Sequence, residues 1–253
     1  MFLQTENRVL KVNQETSYDL NNLVIVVSPH QDDESIGCGG AVAFLISSKY
    51  NVHFIFTTIE SSSRARLRKL EAQKAIKALG GSIENIHFLD LPDGDSKKFI
   101  LNYSKSVGIV SSKIKEIELK QSVIEIGENN KEILLNNKHT LILTTSRHDA
   151  HRDHEETFNM IKNGTRKKII MEFPVVNHMS SAFIPNCFIE IPKEIYEIKK
   201  RALSKYFGED IKGRIMWADI EALMLENGKK CNSELAESCF VSWYGYLKPI
   251  NLI

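Results

Sequence analysis

At 253 residues with 42% hydrophobic side chains, the chain is long enough to bury a sizeable core without disulfide staples. Its 33 basic and 32 acidic residues nearly cancel, which argues against a polyanion such as nucleic acid as a partner. Cys38, Cys187, Cys231 and Cys239 form no CxxC pair and read as free thiols of a reducing compartment. With no basic-then-apolar leader, and no apolar run near the ~18 residues of a membrane span, the expected location is cytoplasmic.

Residues 1–20 read as a polar lead-in with an edge strand around Arg8–Val12. Leu23-Val24-Ile25-Val26-Val27 is an uninterrupted apolar run, the pattern of a strand covered on both faces. Gly37-Cys38-Gly39-Gly40 predicts a tight turn, and Ala41–Ser48 the start of a helix. Val52–Thr57 predicts a second strand and Ser63–Leu79 a helix stopped by Gly80-Gly81. Ile86–Leu89 predicts a third strand, Leu91-Pro92-Asp93-Gly94 a loop, and Ser104–Ile117 a helix. Residues 122–137 read as an insertion, either a hairpin or a helix with a loop. Strands follow at Thr140–Thr144, Ile169–Phe173 and Phe188–Ile191, and the remainder reads as mostly helical. The rhythm of strand and helix predicts an α/β fold: a Rossmann-like, doubly wound, mostly parallel sheet with helices on both faces. No linker or repeat divides the chain, so a single domain over 1–253 is expected. Its core spans about 22–165, and the C-terminal region 166–253 completes the substrate side.

Two segments carry chemistry. Ser28-Pro29-His30-Gln31-Asp32-Asp33-Glu34 follows the first strand, and His148-Asp149-Ala150-His151-Arg152-Asp153-His154 follows the strand at 140–144. Acids beside a core are costly unless paired or bound to a metal, and ligands of doubly wound sheets bind at strand carboxyl ends. The two clusters therefore read as halves of one metal site. Zinc takes imidazole nitrogen and carboxylate oxygen, and a catalytic ion keeps a position open for water. His30, Asp33 and His154 can supply the protein ligands, which leaves Asp32 free as a general base. His151 can hold a proton, and Asp153 can orient a nearby imidazole.

Pro29-His30-Gln31-Asp32-Asp33-Glu34 with Gly37-Cys38-Gly39-Gly40 resembles the PHPDDE…GxGG signature of the LmbE-like, or PIG-L, deacetylases. His151-Arg152-Asp153-His154 resembles their HPDH motif, Phe88–Gly94 their FLDxPDG loop, and Arg68-Lys69-Leu70-Glu71 their RxxE helix. The matches run in family order over 23–160. The resemblance implies a zinc-dependent amidase that removes acetyl from an N-acetylglucosamine-type sugar, with Zn2+ (or another divalent ion such as Fe2+) on His30, Asp33 and His154. It implies Asp32 as the base, and His151 as stabiliser of the tetrahedral intermediate or proton donor to the amine. It further implies Asp153 as the group that orients His151, and Arg68 and Asp93 as sugar contacts. The expected partner is a small acetamido sugar, and homo-oligomeric assembly is a further expectation. Gln31 and Arg152 stand where the family has Pro, and the family's C-terminal His has no counterpart in Lys199–Gly208.

A metal-dependent phosphoesterase and a non-catalytic sugar-binding protein are the rival readings. Cys38 reads as a packed thiol rather than a nucleophile, and Ser35 lacks a GxSxG elbow. The glycine run is an incomplete dinucleotide fingerprint. Arg64 and Arg66 read as a solvated face, and Trp217, Trp243, Tyr244 and Tyr246 as core or interface aromatics. His178 reads as an ordinary loop histidine.

Overall fold

The computed structural model describes residues 2–5, 8–11, 20–59, 64–92, 103–124, 139–164, 168–207 and 211–244. Nine strands are present among them: β1 (Phe2–Thr5), β2 (Arg8–Lys11), β3 (Leu20–Ser28), β4 (Asn51–Ile59), β5 (Ile86–Pro92), β6 (His139–Thr145), β7 (Lys168–Phe173), β8 (Cys187–Glu190) and β9 (Ala236–Tyr244). The α-helices are α1 (Asp33–Ser47), α2 (Ala65–Ala78), α3 (Tyr103–Ile124), α4 (Arg152–Gly164), α5 (Lys193–Phe207) and α6 (Ile211–Cys231). None of them is long and apolar enough to cross a membrane.

The strands form one sheet in the order β2-β1-β8-β9-β7-β6-β3-β4-β5. From β7 to β5 all pairings are parallel. β9 runs antiparallel to β7, and β8, β1 and β2 continue the antiparallel edge. The chain lays β3, β4 and β5 side by side in one direction, then crosses to the far flank of β3 for β6. The order therefore reverses between β3 and β6, where a doubly wound sheet opens a crevice at its carboxyl ends.

The apolar runs become strands because both faces of the sheet are covered. In β3, Val24 and Val26 enter one buried cluster with Phe54, Phe56, Leu141 and Leu143, packed under α1, α2, α5 and α6. Their neighbours Leu23, Ile25 and Val27 enter the other, with Ile55, Ile142 and Ile170, under α3 and α4. Alternate side chains of a pleated strand point to opposite faces, so a strand buried on both sides must be apolar at every position.

The expectations made at Gly37–Gly40 and in the C-terminal region need correction. The glycine run is not a turn ahead of the helix: α1 begins at Asp33, runs through it and kinks at Cys38 (φ −138°, ψ 21°). A Cβ on Gly37 would lie 2.1 Å from Phe173 Cδ2, and one on Gly40 2.9 Å from Ile191 Cδ1, so these glycines let the helix press on β7 and the chain before α5. The kink frees backbone donors, and Gly40 N–H and Ala41 N–H both donate to the Glu237 carboxylate at 2.8 Å. Lys199 Nζ donates to the same carboxylate at 2.6 Å and to the Ile36 carbonyl at 2.9 Å. Glu237 lies on β9, a strand absent from the mostly helical expectation; its polar Glu237, Ser238 and Ser242 are buried and mask the strand pattern. The insertion expected over 122–137 falls on the last residues of α3 and otherwise outside the described residues.

Two stability predictions follow from this packing. Breaking one partner of a buried ion pair costs roughly 3–5 kcal/mol, so Lys199→Met should lower stability by about that amount. The double variant Lys199→Met/Glu237→Gln should recover part of the loss in urea denaturation.

On β4 and β5, His53 Nδ1 and His87 Nε2 lie 3.2 Å apart with their rings stacked. Burial, then the charges of His87 and Lys120, push His53 down to about 4. Its folded value is thus below its unfolded one, so it costs nothing above about pH 6.5 and removes stability as pH falls from there towards about 4. His53→Gln should show a smaller drop in urea midpoint than wild type between about pH 7 and 4.5.

Candidate metal centre and active site

Both motif segments are strand-to-helix connections, and both end on a helix N-terminus. After β3, Pro29 and His30 lead into Asp32, whose carbonyl accepts the Ser35 and Ile36 N–H groups at 3.0 and 2.9 Å as α1 begins. After β6, the turn through Asp149 and His151 leads into α4, with Asp153 and His154 in its first turn. A helix N-terminus carries partial positive charge, which favours the acids placed there.

The two connections meet at Asp33, which is buried. Its Oδ2 lies 3.3 Å from His30 Nδ1 and 3.4 Å from His154 Nε2, and the His30 backbone N–H donates to it at 2.9 Å. His154 is fully buried, with its Nε2 turned to Asp33. Ring nitrogens of His30, His151 and His154 also lie within 4.8 Å of one another. His151 sits edge-on to His30, with ring centroids 4.7 Å apart.

Acids back the imidazoles. Asp153 Oδ2 lies 3.1 Å from His30 Nε2, so this oxygen faces His30. The Asp153 backbone N–H reaches His151, donating to Nδ1 at 3.2 Å. This follows from the start of α4, where a residue's N–H points back along the axis while its side chain projects sideways. Asp149 also belongs to the site, a role its sequence context does not signal. Its Oδ2 lies 2.9 Å from His154 Nδ1, and its Oδ1 accepts the His151 N–H at 3.0 Å. Nothing in the sequence distinguishes Asp149 from a solvated turn residue; its partner is fixed only when the turn closes.

Arg68, from α2, donates through Nη2 to Asp32 Oδ2 at 3.1 Å and reaches the Gln31 carbonyl at 3.4 Å. It borders the cleft but leans on the carboxylate expected to act as base. Gln31 is buried, and its amide donates to the Thr58 carbonyl at 2.9 Å, while Thr58 Oγ1 donates to the Pro29 carbonyl at 2.8 Å. The loop that lacks the family's second proline is thereby tied to β4. Arg152 is exposed and faces Glu156 at 3.6 Å. At the end of α5, Tyr206 OH donates to Glu34 Oε1 at 2.8 Å, which links that helix to the first motif. Asp93 lies outside the described residues. Cys38, Cys187, Cys231 and Cys239 are free thiols.

The electrostatics are those of an acid-rich pocket. Burial works to lower His30, but hydrogen bonds to Asp153 and Asp33 and the charges of Asp33 and Asp32 outweigh it and lift the imidazole to about 10. Burial likewise opposes His154, yet Asp33 and Asp149 raise it to about 9. Burial pushes Asp33 up, but the charge and hydrogen bond of His154 and the contact with His30 hold it well below the usual carboxylate range. Asp32 rises to about 6 through burial and the Asp33 charge, against the pull of Arg68. Burial, then the charges of His30 and His154, lower His151. The surroundings call for positive charge on or between the His30 and His154 imidazoles, a demand that a divalent cation could also meet.

A cleft of about 200 Å³ opens over these groups, lined by His30, Asp32, Asp33, Arg68, His151 and His178, with Ile36 and Val175 as its apolar part. His178, read from sequence as a loop histidine, faces this cleft.

The family model PIG-L, described as GlcNAc-PI de-N-acetylase, matches residues 25–164. No curated protein sequence matches the chain. Among solved structures, N,N'-diacetylchitobiose deacetylase from Pyrococcus horikoshii superposes with a TM-score of 0.65 at 16% identity, covering 91% of this chain and 87% of its own. The deacetylase of the A40926 pseudoaglycone gives 0.64 at 16% identity, covering 88% and 98%. The 4-carboxy-2-hydroxymuconate hydratase of Pseudomonas putida gives 0.63 at 15% identity, covering 90% and 99%. At such identity these likenesses show a shared fold, and the hydratase among them shows that the fold alone does not choose the reaction.

Carboxylates that hold a ligating imidazole typically contribute 10–100-fold to metal affinity. Asp149→Ala should weaken divalent-ion binding by about that factor, measured by chelator competition, with the fold unchanged by circular dichroism.

Proposed function

The chain belongs to the PIG-L family, and from that premise we propose that it is a metal-dependent hydrolase removing the N-acetyl group of an N-acetylglucosamine-type sugar. The observation that carries this reading is Asp33 Oδ2 lying 3.3 and 3.4 Å from nitrogens of His30 and His154. Tetrahedral zinc, with bonds of about 2.0–2.1 Å, needs donor atoms about 3.3–3.4 Å apart. The full burial of His154, with Nε2 turned to Asp33, supports the same assignment. His30, Asp33 and His154 would hold Zn2+. His151 is the weaker candidate ligand, because its Nδ1 already accepts the Asp153 N–H. When bound, the ion supplies a Lewis acid that polarises the amide carbonyl and acidifies a water molecule.

Asp32 is the base. It borders the cleft, and Arg68 fixes the direction of its carboxylate by donating to one oxygen. It takes a proton from the attacking water and returns it to the departing amine. His151 holds the oxygen of the tetrahedral intermediate. Because its Nδ1 accepts a backbone N–H, the neutral ring carries its proton on Nε2, the nitrogen left to donate to substrate. Burial lowers this imidazole, which favours the neutral donor form.

The charge of the site favours a neutral amide over a phosphate ester. Asp32, Asp149 and Asp153 surround a ligand set that already contains the Asp33 carboxylate, and Arg68, the one Arg or Lys lining the cleft among the described residues, is already committed to Asp32. With a divalent ion bound, ionised carboxylates still outnumber the compensating charges, so a phosphate dianion would be repelled while an acetamide would not.

Zinc-loaded protein should release acetate from N-acetylglucosamine-type sugars, and a chelator should abolish the release. Asp32→Asn should retain its metal while turnover falls by about 10²–10⁴. Metal analysis and acetate assays on the same sample check this; a folded Asp32→Asn protein that has lost its metal contradicts the assignment.

A further inference from the structure

One imidazole on the cleft wall belongs to neither motif. His178 closes a 3-10 turn, Val176–His178, just beyond β7, and its half-buried ring lines the cleft beside His30, Asp32, Asp33, Arg68 and His151. The ring stands edge-on to His151, with centroids 5.1 Å apart and planes at 74°, and to His154 at 5.5 Å and 85°.

Its backbone is clamped to the segment that carries His151. Ala150 N–H donates to the His178 carbonyl at 2.8 Å, His178 N–H donates to the Val175 carbonyl at 2.9 Å, and Met179 forms an isolated β-bridge with Asp149. A solvated loop histidine needs no such clamp. The ring nitrogens, by contrast, have no hydrogen-bond partner among the described residues. Nor does the ring join the group of His30, His151 and His154 whose nitrogens lie within 4.8 Å of one another, so its geometry is not that of a metal ligand.

We propose that His178 is a substrate-contacting residue, hydrogen-bonding a hydroxyl on the sugar carbon next to the one that bears the acetamide. This rests on the N-deacetylase reading. If His151 faces the reacting carbonyl, a ring about 5 Å further along the wall stands beside the next polar group of the sugar. A sugar hydroxyl both donates and accepts, and a neutral imidazole offers one donor and one acceptor to match it.

The test uses Zn2+-loaded full-length protein with N-acetylglucosamine as probe. His178→Ala should bind as much zinc as wild type and melt at the same temperature. KM for acetate release should rise about tenfold, the worth of one lost hydrogen bond, with kcat changed less than about threefold. His178→Gln, which keeps a donor and an acceptor, should recover part of the loss. In histidine-labelled protein, the ring signals that vanish in His178→Ala should shift on adding the sugar, while those of His53 and His87 stay in place. Unchanged KM with no ring shift overturns the proposal, and so does loss of zinc from His178→Ala, which would make the residue a ligand. Failure of wild type to release acetate would refute the deacetylase reading separately. The ring signals would still decide the contact, because their shift reports binding without turnover, and no shift overturns it.

Discussion

The molecule is organised around a cluster of carboxylates gathered at one point of the sheet. Asp33, Asp149 and Asp153 are each buried against an imidazole, and Asp32 borders them. Isolated ionised acids in such a place would be prohibitive. They are tolerated because two helix N-termini face them, because His30 and His154 stand between them, and because Arg68 closes the open side. The reversal of strand order between β3 and β6 makes the arrangement geometrically available, since it brings the carboxyl ends of two distant strands side by side. A cluster of this kind, with His30, His151 and His154 brought together, could hold a metal ion.

Around it lies a layer whose work is stiffness. Gln31 ties the first connection to β4 through Thr58. Arg147 ties the second to β7 through Glu172, with its guanidinium 4.2 Å from the ring centre of Phe158. Glu237 and Lys199 bind the kinked α1 to β9 and α5, and Tyr206 reaches from α5 to Glu34. Donor atoms that must sit a few tenths of an ångström from an ideal spacing cannot be carried on loose loops. Each connection is accordingly fastened to the sheet at its base. Tyr206 and the buried Lys199–Glu237 pair attach α5 to the first connection and to α1 and β9.

Much of this was legible in the sequence, and what was not shares a common cause. The strands of the parallel half were visible because burial on both faces makes their central positions mostly apolar. The two motif segments were visible because acids and imidazoles at strand exits have few structural uses. β9 was hidden because its buried polar residues answer to Lys199, Asn227 and the α1 backbone, partners that no local pattern announces. The start of α1 was hidden because glycines, read alone, signal a turn; here they mark where a helix is pressed against β7.

The sequence by itself determined the class of fold and the chemical inventory of the site, because hydrophobic period and side-chain type are properties of the chain. Only the tertiary structure decided who faces whom: that Asp153 backs His30, that Asp149 backs His154, that Arg68 leans on Asp32, and that His178 joins the cleft wall. The reason is physical. Each of these pairings depends on how one connection lies against another, and contacts made across strand ends follow from the register and closure of the whole sheet, which no segment carries within itself.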